Sequence, residues 1–322
     1  MANELRWGII GTGRIAHAFA AGLRDSRTGS LHGVGSRCQS SAEGFGREFD
    51  VSRCYASYQA LLDDPEIDVV YVATPNSLHL EHALLALNAG KPVLCEKPFT
   101  VNVQESNQLV SEARKQGLFL MEAMWNRFFP ITVRLRQMIE AGELGELCMI
   151  EADFGFRSTS KEEPLLYDTR FGGGSLLDVG VYGVSLVSMV WGKPTKIVSS
   201  ANIGDTGVDE QCAAVLSYDQ GRMGVVRSSI LADTPQEATF IGDQGRIRIE
   251  SPFWCPSAMV HSKGDETGQR IELPHTGNGY QYEADEVGQC LLEGRLESRQ
   301  MPLDESLQIM ATMDQIRSCW SR

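Results

Sequence analysis

Cysteine pairing of any recognisable kind is missing from this chain. Its eight cysteines lie scattered through 322 residues, with no C-x-x-C pair and no Cys/His group at metal-ligand spacing. That pattern excludes a zinc module, so no metal is expected, and it argues against a disulfide framework. Reduced thiols in a cytoplasm are expected instead. Cationic excess is missing too. Against 42 acidic residues stand 29 Lys and Arg, a formal net charge of −13. General nucleic-acid binders and anionic-membrane binders need basic patches, so neither partner is expected, while a local cationic pocket stays compatible. No run reads as long and apolar enough to span a membrane. The segment Met1-Ala2-Asn3-Glu4-Leu5-Arg6 lacks the charged-then-apolar order of a signal peptide. Internal repeats and low-complexity tracts are absent. What is left is 42% hydrophobic and 22% charged residues, ordinary for a globular protein of a length that suggests two domains.

Within that plain composition, two features stand out. The first is Gly11-Thr12-Gly13-Arg14-Ile15-Ala16, directly after the apolar run Leu5 to Ile10. A lone G-x-G-x-x-A is weak, but this one follows a predicted strand and opens a predicted helix. Gly11 permits the tight turn, Gly13 lets the backbone approach a pyrophosphate, and Ala16 allows helix to pack closely on strand. The helix N-terminus supplies free N–H groups and a positive dipole end for phosphate oxygens. The second feature is Glu96-Lys97-Pro98, closing the apolar run Pro92 to Cys95. It falls at the carboxyl end of a later strand, where ligands bind in open α/β sheets.

The order of elements predicts an α/β protein. Strands at 5–10, 31–36, 51–55, 68–73, 92–95 and 118–121 alternate with helices at 14–24, 42–49, 58–63, 78–89 and 103–116. Such alternation implies a doubly wound, Rossmann-type parallel sheet with right-handed crossovers over residues 1–122. After a helix at 135–141 the pattern changes. Period-two stretches recur at 148–156, 195–201, 211–218, 223–230, 237–241, 246–250 and 258–261, with a helix at 176–190. Residues 123–322 therefore read as an α+β domain with a large, mostly antiparallel open sheet, ending in helices at about 280–294 and 304–320.

These features resemble the glucose–fructose oxidoreductase, inositol dehydrogenase and MocA-like family. The likeness runs along nearly the whole chain: the fingerprint, Ala73-Thr74-Pro75-Asn76-Ser77-Leu78-His79, Glu96-Lys97-Pro98, and Gly172-Gly173-Gly174-Ser175-Leu176-Leu177-Asp178-Val179-Gly180-Val181-Tyr182. Within the family it is most similar to the dimeric dihydrodiol dehydrogenases and NADP-dependent D-xylose dehydrogenases, through Met121 to Pro130, Asp153 to Arg157 and Tyr280 to Ala284. Tyrosine at 182, where the commoner pattern has histidine, weighs against inositol-type activity and leaves the redox role intact. The resemblance implies an NADP-dependent oxidoreductase moving hydride between nicotinamide and a sugar or trans-dihydrodiol, with a cis Lys97–Pro98 bond. A non-catalytic NADP-binding sensor on the same fold is the alternative.

Candidate roles follow residue by residue. Oxidising an alcohol needs a base for the hydroxyl proton, and the reverse needs an acid. The resemblance gives that role to Tyr182, with the Lys97 ammonium favouring tyrosinate. Asp178 lies four residues earlier, on the same helix face, and either contacts substrate hydroxyls or orients Tyr182, the alternative being an acid favoured by the dipole near the helix start. Ser36 and Arg37 replace the acid that NAD enzymes place after the second strand. Arg can accept a 2′-phosphate, so NADP is expected over NAD, the alternative being a solvated surface arginine. The resemblance sets Thr74, Pro75, Asn76 and His79 against the cofactor, with Glu96 supporting the cofactor end or Lys97. Trp125, Arg127, Phe128, Phe154, Tyr167 and Trp254 are candidates for the substrate wall, since aromatic faces suit a sugar's C–H face or a flat diol. Cys95 reads as a small buried residue. A homodimer or higher homo-oligomer through the open sheet face is expected.

Overall fold

Parallel strands buried on both faces need near-continuous apolar sequence, and the first sheet is built from such runs. The computed structural model describes residues 4–160, 163–264 and 267–320. Strands β1 (Leu5–Ile10), β2 (Gly29–Gly35), β3 (Arg53–Tyr55), β4 (Val69–Val72), β5 (Val93–Glu96) and β6 (Leu120–Ala123) form one sheet in the order β3-β2-β1-β4-β5-β6. Every pairing is parallel. Helices α1 (Arg14–Leu23), α2 (Gln39–Phe49), α3 (Tyr58–Leu62), α4 (His79–Asn88) and α5 (Val103–Gln116) make the crossovers. The strand order reverses beside β1, the switch point at which ligands bind in such sheets. Phe19 of α1 stacks on Tyr71 of β4 with centroids 3.8 Å apart and meets Trp7 of β1 edge-on.

One more helix belongs to this unit. The helix Tyr280–Leu292, α9 in chain order, returns beside α1. Gly22 makes the approach possible, because a Cβ there would lie 2.7 Å from the Tyr280 Cβ. Asn278 donates to the Ala18 carbonyl at 2.7 Å, and Asp285 accepts from the Arg27 amide and the Ser26 hydroxyl at 2.8 Å each. The compact unit comprises Met1–Thr100, Gln104–Trp125 and Thr276–Ser306. The expected single cut after residue 122 is therefore corrected: the chain comes back. The apolar side of α9 finds its cover on α1 and the sheet.

The second unit comprises Val101–Val103, Asn126–His275 and Leu307–Arg322. Its helices are α6 (Pro130–Glu140), α7 (Pro164–Tyr167), α8 (Val181–Trp191) and most of α10 (Leu303–Ser318). Strands β7 (Leu147–Gly155), β8 (Lys196–Ile203), β9 (Asp209–Ser217), β10 (Met223–Ser229), β11 (Ala238–Gly242), β12 (Arg246–Ile249), β13 (Ala258–Ser262) and β14 (Gln269–Glu272) form a sheet in the order β14-β13-β12-β11-β7-β10-β9-β8. All pairings are antiparallel except β7 with β10. Helix α8 lies on one face, close enough that a Cβ at Gly224 would meet Val187 at 2.7 Å. The opposite face carries the exposed residues of each alternation. Strand β14 was not expected from the sequence, since one side chain of its Gln-Arg-Ile-Glu is apolar and three are polar.

The expectation about apolar runs also needs correction. Thr169–Trp191 is a 23-residue helical stretch with mean hydropathy 1.4, long and apolar enough by composition to cross a bilayer. Of its most apolar window, 78% is buried inside the protein. It is the central helix of the second unit, hydrophobic all round because it is covered all round.

Candidate active site

The fingerprint of the first unit has the geometry that phosphate binding asks for. Gly11 sits at φ +107°, and a Cβ there would press to 2.7 Å from the Ala73 carbonyl oxygen, so the β1–α1 turn requires glycine. Gly13 is different. A Cβ on it would meet nothing within 4 Å. That open space lies at the N-cap of α1, where Gly13 contributes no side-chain cap, so the first amides of the helix face outward. Arg14 is exposed, Thr12 and Ile15 half-buried. At the end of β2, Ser36 is buried and its hydroxyl lies 3.4 Å from that of Thr12, while Arg37 projects into solvent. The residues expected to hold a dinucleotide thus sit on one end of the sheet, and they fit an NADP-type ligand.

The turn after β4 is organised from within. His79, buried, lies 2.9 Å from the Thr74 carbonyl by Nε2 and 2.8 Å from the Pro98 carbonyl by Nδ1. Burial pulls its pKa down to about 4. A neutral imidazole has one N–H, so it donates to one of these carbonyls only. His79 ties the 74–79 turn to the loop after β5; neither ring nitrogen is turned outward. His82 contacts the Thr74 hydroxyl at 3.0 Å. Pro75 and Asn76 are half-buried at the same end of the sheet.

At the end of β5 the Lys97–Pro98 bond is cis, and Lys97 is half-buried. Glu96 beneath it accepts from the Tyr71 hydroxyl and, at 3.0 Å, from the Lys97 amide. Glu283 of α9 is fully buried, and burial, with the Glu96 charge second, raises its carboxyl well above the usual range. Neither oxygen of Glu283 has a hydrogen-bond partner among the described residues. Tyr71 is raised likewise, by burial first. Cys95 is buried and its thiol pushed well up by burial, as expected of an inert core residue.

In the second unit, Gly172-Gly173-Gly174 leads into a π-helical turn, Leu176–Gly180, that runs straight on into α8. Asp178 lies in the turn, half-buried, and Tyr182 at the start of α8, 5% exposed. The Phe154 ring is 5.6 Å from that of Tyr182 and stacks on Trp254 at 5.2 Å, 3° from parallel. Two of the expected wall residues, Phe154 and Trp254, are thereby brought together with Tyr182. Sequence reasoning missed what holds them. Gln236, at φ +57°, accepts from the Trp254 indole N–H at 3.1 Å, donates to the Gly155 carbonyl at 2.9 Å, and gives its amide N–H to Asp153 at 3.1 Å. No pattern marks a lone glutamine in a left-handed conformation.

The remaining wall candidates have surroundings of their own. Arg127 is fully buried, and its guanidinium donates to the Ser185 carbonyl at 2.7 Å and hydroxyl at 2.8 and 3.0 Å. These bonds pin it to α8. Trp125 belongs to the first unit, stacked on Tyr280 at 4.3 Å. Tyr167 packs in an apolar cluster with Leu166, Val208 and Ile230. Phe128 is 6% exposed.

Comparison with known proteins agrees with this geometry. Residues 5–124 match a family model described as "Oxidoreductase family, NAD-binding Rossmann fold", and residues 132–248 match one described as "GFO/IDH/MocA C-terminal domain". The chain is 37% identical over 323 residues to a trans-1,2-dihydrobenzene-1,2-diol dehydrogenase of Danio rerio, covering 97% of this chain and 96% of the relative. It is 38% identical over 328 residues to the Mus musculus protein of that name, with the same coverage. Among solved structures, a 3-ketoreductase from Actinomadura kijaniata in complex with NADP and TDP-benzene superposes with a TM-score of 0.88 at 27% identity, over 99% of this chain and 98% of that one. An aldose-aldose oxidoreductase from Caulobacter crescentus shares the fold, with a TM-score of 0.91 at 23% identity over 98% and 97%.

Proposed function

The chain belongs to the GFO/IDH/MocA oxidoreductase family, and on that premise we propose that it is an NADP-dependent dehydrogenase acting on CH–OH groups. Its substrate is a trans-dihydrodiol or a pyranose aldose such as D-xylose or D-glucose. The observation that carries this reading is Tyr182, set at the start of α8 directly after the turn Leu176–Gly180 that holds Asp178, with its ring beside Phe154, which stacks on Trp254. A flat aromatic wall beside a phenol suits a planar diol or the C–H face of a sugar. The dihydrodiol dehydrogenases among its relatives favour the diol.

The first unit holds the dinucleotide. Gly11, Thr12, Gly13, Arg14 and Ile15 place the α1 amides against the pyrophosphate, and Ser36 with Arg37 takes the 2′-phosphate. Thr74, Pro75, Asn76, Glu96 and Lys97 stand toward the nicotinamide end, and His79 holds their turn in place. The bound nicotinamide supplies or takes up the hydride. The second unit serves the substrate. Tyr182 gives its phenolic proton to the substrate oxygen in reduction and receives it in oxidation. Asp178 accepts hydrogen bonds from substrate hydroxyls, and Lys97 holds the substrate oxygen.

The test is Tyr182→Phe, assayed by NADPH absorbance against dihydrodiols and aldoses, with both cofactors and in both directions. Its kcat should fall roughly 10²–10⁴-fold, the usual contribution of a general acid–base group, while NADPH still binds. A loss of only a few-fold in a folded, NADPH-binding variant refutes the assignment.

The open face of the second sheet supports a homodimer. Val198 and Val215 are paired across β8 and β9, Val215 with Val225 across β9 and β10, and Met223 with Met149 across β10 and β7. Val198 is 58% exposed. Glu151 and Arg227 on the same face supply both charge signs for a self-complementary contact. Light scattering that gives a monomer across a wide concentration range contradicts it. Eight free cysteines support a cytoplasmic location, which fractionation can overturn.

A further inference from the structure

The π-turn that carries Asp178 and leads into Tyr182 has no cap of its own. Ser175 occupies its N-cap position, and the Ser175 side chain makes no capping bond to the turn. The cap comes from another strand. Asp209, first residue of β9 and 6% exposed, accepts from the Leu176 amide at 2.7 Å and from the Ser175 hydroxyl at 2.8 Å, both on Oδ2. The Ser175 hydroxyl also lies 2.8 Å from that of Ser228, which in turn lies 3.3 Å from the Cys212 sulfur. Ser175, Ser228 and Cys212 are all buried. Two glycines shape the site for this carboxylate. Gly174 sits at φ +119°, and a Cβ there would run into the Asp209 carboxyl group. Gly180, at the end of the turn, would with a Cβ crowd the Ser228 hydroxyl at 3.1 Å. The glycine-rich approach thus does more than bend the chain: it clears room for a charge from a strand 34 residues away in sequence.

We propose that Asp209 is a positioning residue for proton transfer: its ionised carboxylate fixes the first turn of the helix that presents Asp178 and Tyr182. The assignment rests on the roles proposed above for those two residues. An ionised acceptor binds amide and hydroxyl donors about twice as strongly as a neutral one, and it suits the positive end of the helix. Once protonated, the group loses both advantages, and the turn loosens where Asp178 and Tyr182 depend on it.

The surroundings place that change in an accessible range. Burial, the largest influence, raises the Asp209 pKa to about 6, opposed by the Leu176 amide and the Ser175 hydroxyl, then by its own backbone amide and the Arg317 charge from α10. The other groups bearing on it are few. Asp178 lies on the turn itself. Cys212 stays a neutral thiol, pushed up by burial to about 12. Glu210 next to it contacts Asn202 at 3.3 Å. Strand β10 contributes Ser228, while its Arg227 sits on the open face; β8 contributes Ile203.

The experiment uses the full chain, comparing wild type with Asp209→Asn and Ser175→Ala. Two readouts are taken: kcat from pH 5 to 8, and amide hydrogen-exchange protection of residues 174–182, corrected for intrinsic rates. Wild type should lose kcat as pH falls through about 6, with protection of the turn falling over the same range. Asp209→Asn mimics the neutral acid. It should lose roughly ten- to a hundredfold in kcat at pH 8, a cost in keeping with slight misplacement, with KM for NADP within about twofold. Its profile should lack the acid limb. Ser175→Ala removes one donor to the carboxylate, so its limb should move to higher pH. It also covers the case in which Asp209→Asn does not fold. If both variants keep the wild-type profile and protection, the proposal is overturned. If protection follows Asp209 while Tyr182→Phe stays active, positioning stands and the proton-transfer reading fails.

Discussion

Glu283→Gln tests the buried acids behind Lys97. Glu96 accepts from the Tyr71 hydroxyl and the Lys97 amide, and these favour its ionised form. Glu283 has none among the described residues and is fully buried. With two acids in one dry space, the proton therefore resides on Glu283. In the unfolded chain the same carboxyl titrates near 4.3. A carboxyl whose pKa rises on folding stabilises the fold fully below the unfolded pKa. That contribution is lost as pH climbs toward the folded value, at about 1.4 kcal/mol per pH unit. Glutamine does not titrate and has no such slope. Over the range in which Glu283 stays protonated in the fold, the stability of the variant relative to wild type should rise with pH by about 1.4 kcal/mol per unit. The absolute offset is not diagnostic, because an amide in that space adds its own constant term. Urea unfolding of both proteins at pH 5, 6 and 7, followed by circular dichroism and tryptophan fluorescence, measures the change. A gap that does not vary with pH would mean that Glu283 keeps an ordinary carboxyl pKa, and the account of the pair would be wrong.

The two fingerprint glycines should part company: Gly13→Ala should fold with near-parental stability yet bind NADP at least tenfold more weakly, as judged by isothermal titration calorimetry. Gly11→Ala, strained by its positive φ and the Ala73 carbonyl, should lose about 1–3 kcal/mol in thermal or urea unfolding. Arg127→Met should destabilise by about 1–3 kcal/mol, the cost of leaving the buried Ser185 acceptors without their donor, with substrate KM unchanged; a KM effect alone would return Arg127 to the substrate wall. Arg37→Ala should raise KM for NADP far more than KM for NAD, and an unmodified enzyme that prefers NAD would sink the 2′-phosphate assignment.

The strand–glycine–helix opening was legible because each of its parts answers to local backbone chemistry. So was the period-two alternation of β9 and β10, which meet helix on one face and open space on the other. Partnership at a distance was not legible. Nothing in Tyr280–Leu292 says which sheet its apolar side will cover. Arg127 stands among aromatics and reads as a ligand contact until Ser185, 58 residues on, is seen to hold it. Nothing in the sequence around Asp209 pairs it with the Leu176 amide, which it reaches only in the fold. The cis bond at Lys97–Pro98 and the role of Tyr182 followed from family resemblance, and the candidacy of Phe154 and Trp254 from the chemistry of aromatic faces, not from periodicity.

The late return of residues 276–306 to the first unit bears on how the protein is made. A ribosome delivers the six parallel strands within the first 123 residues, but the helix that lies beside α1 emerges more than 150 residues later. Until then the emerging nucleotide-binding half lacks Asn278 for the Ala18 carbonyl and Tyr280 for Gly22 and Trp125. Folding of the nucleotide-binding unit during synthesis is completed only once that helix has emerged. The chain's first-made half must wait, incompletely covered, for nearly its last-made helix.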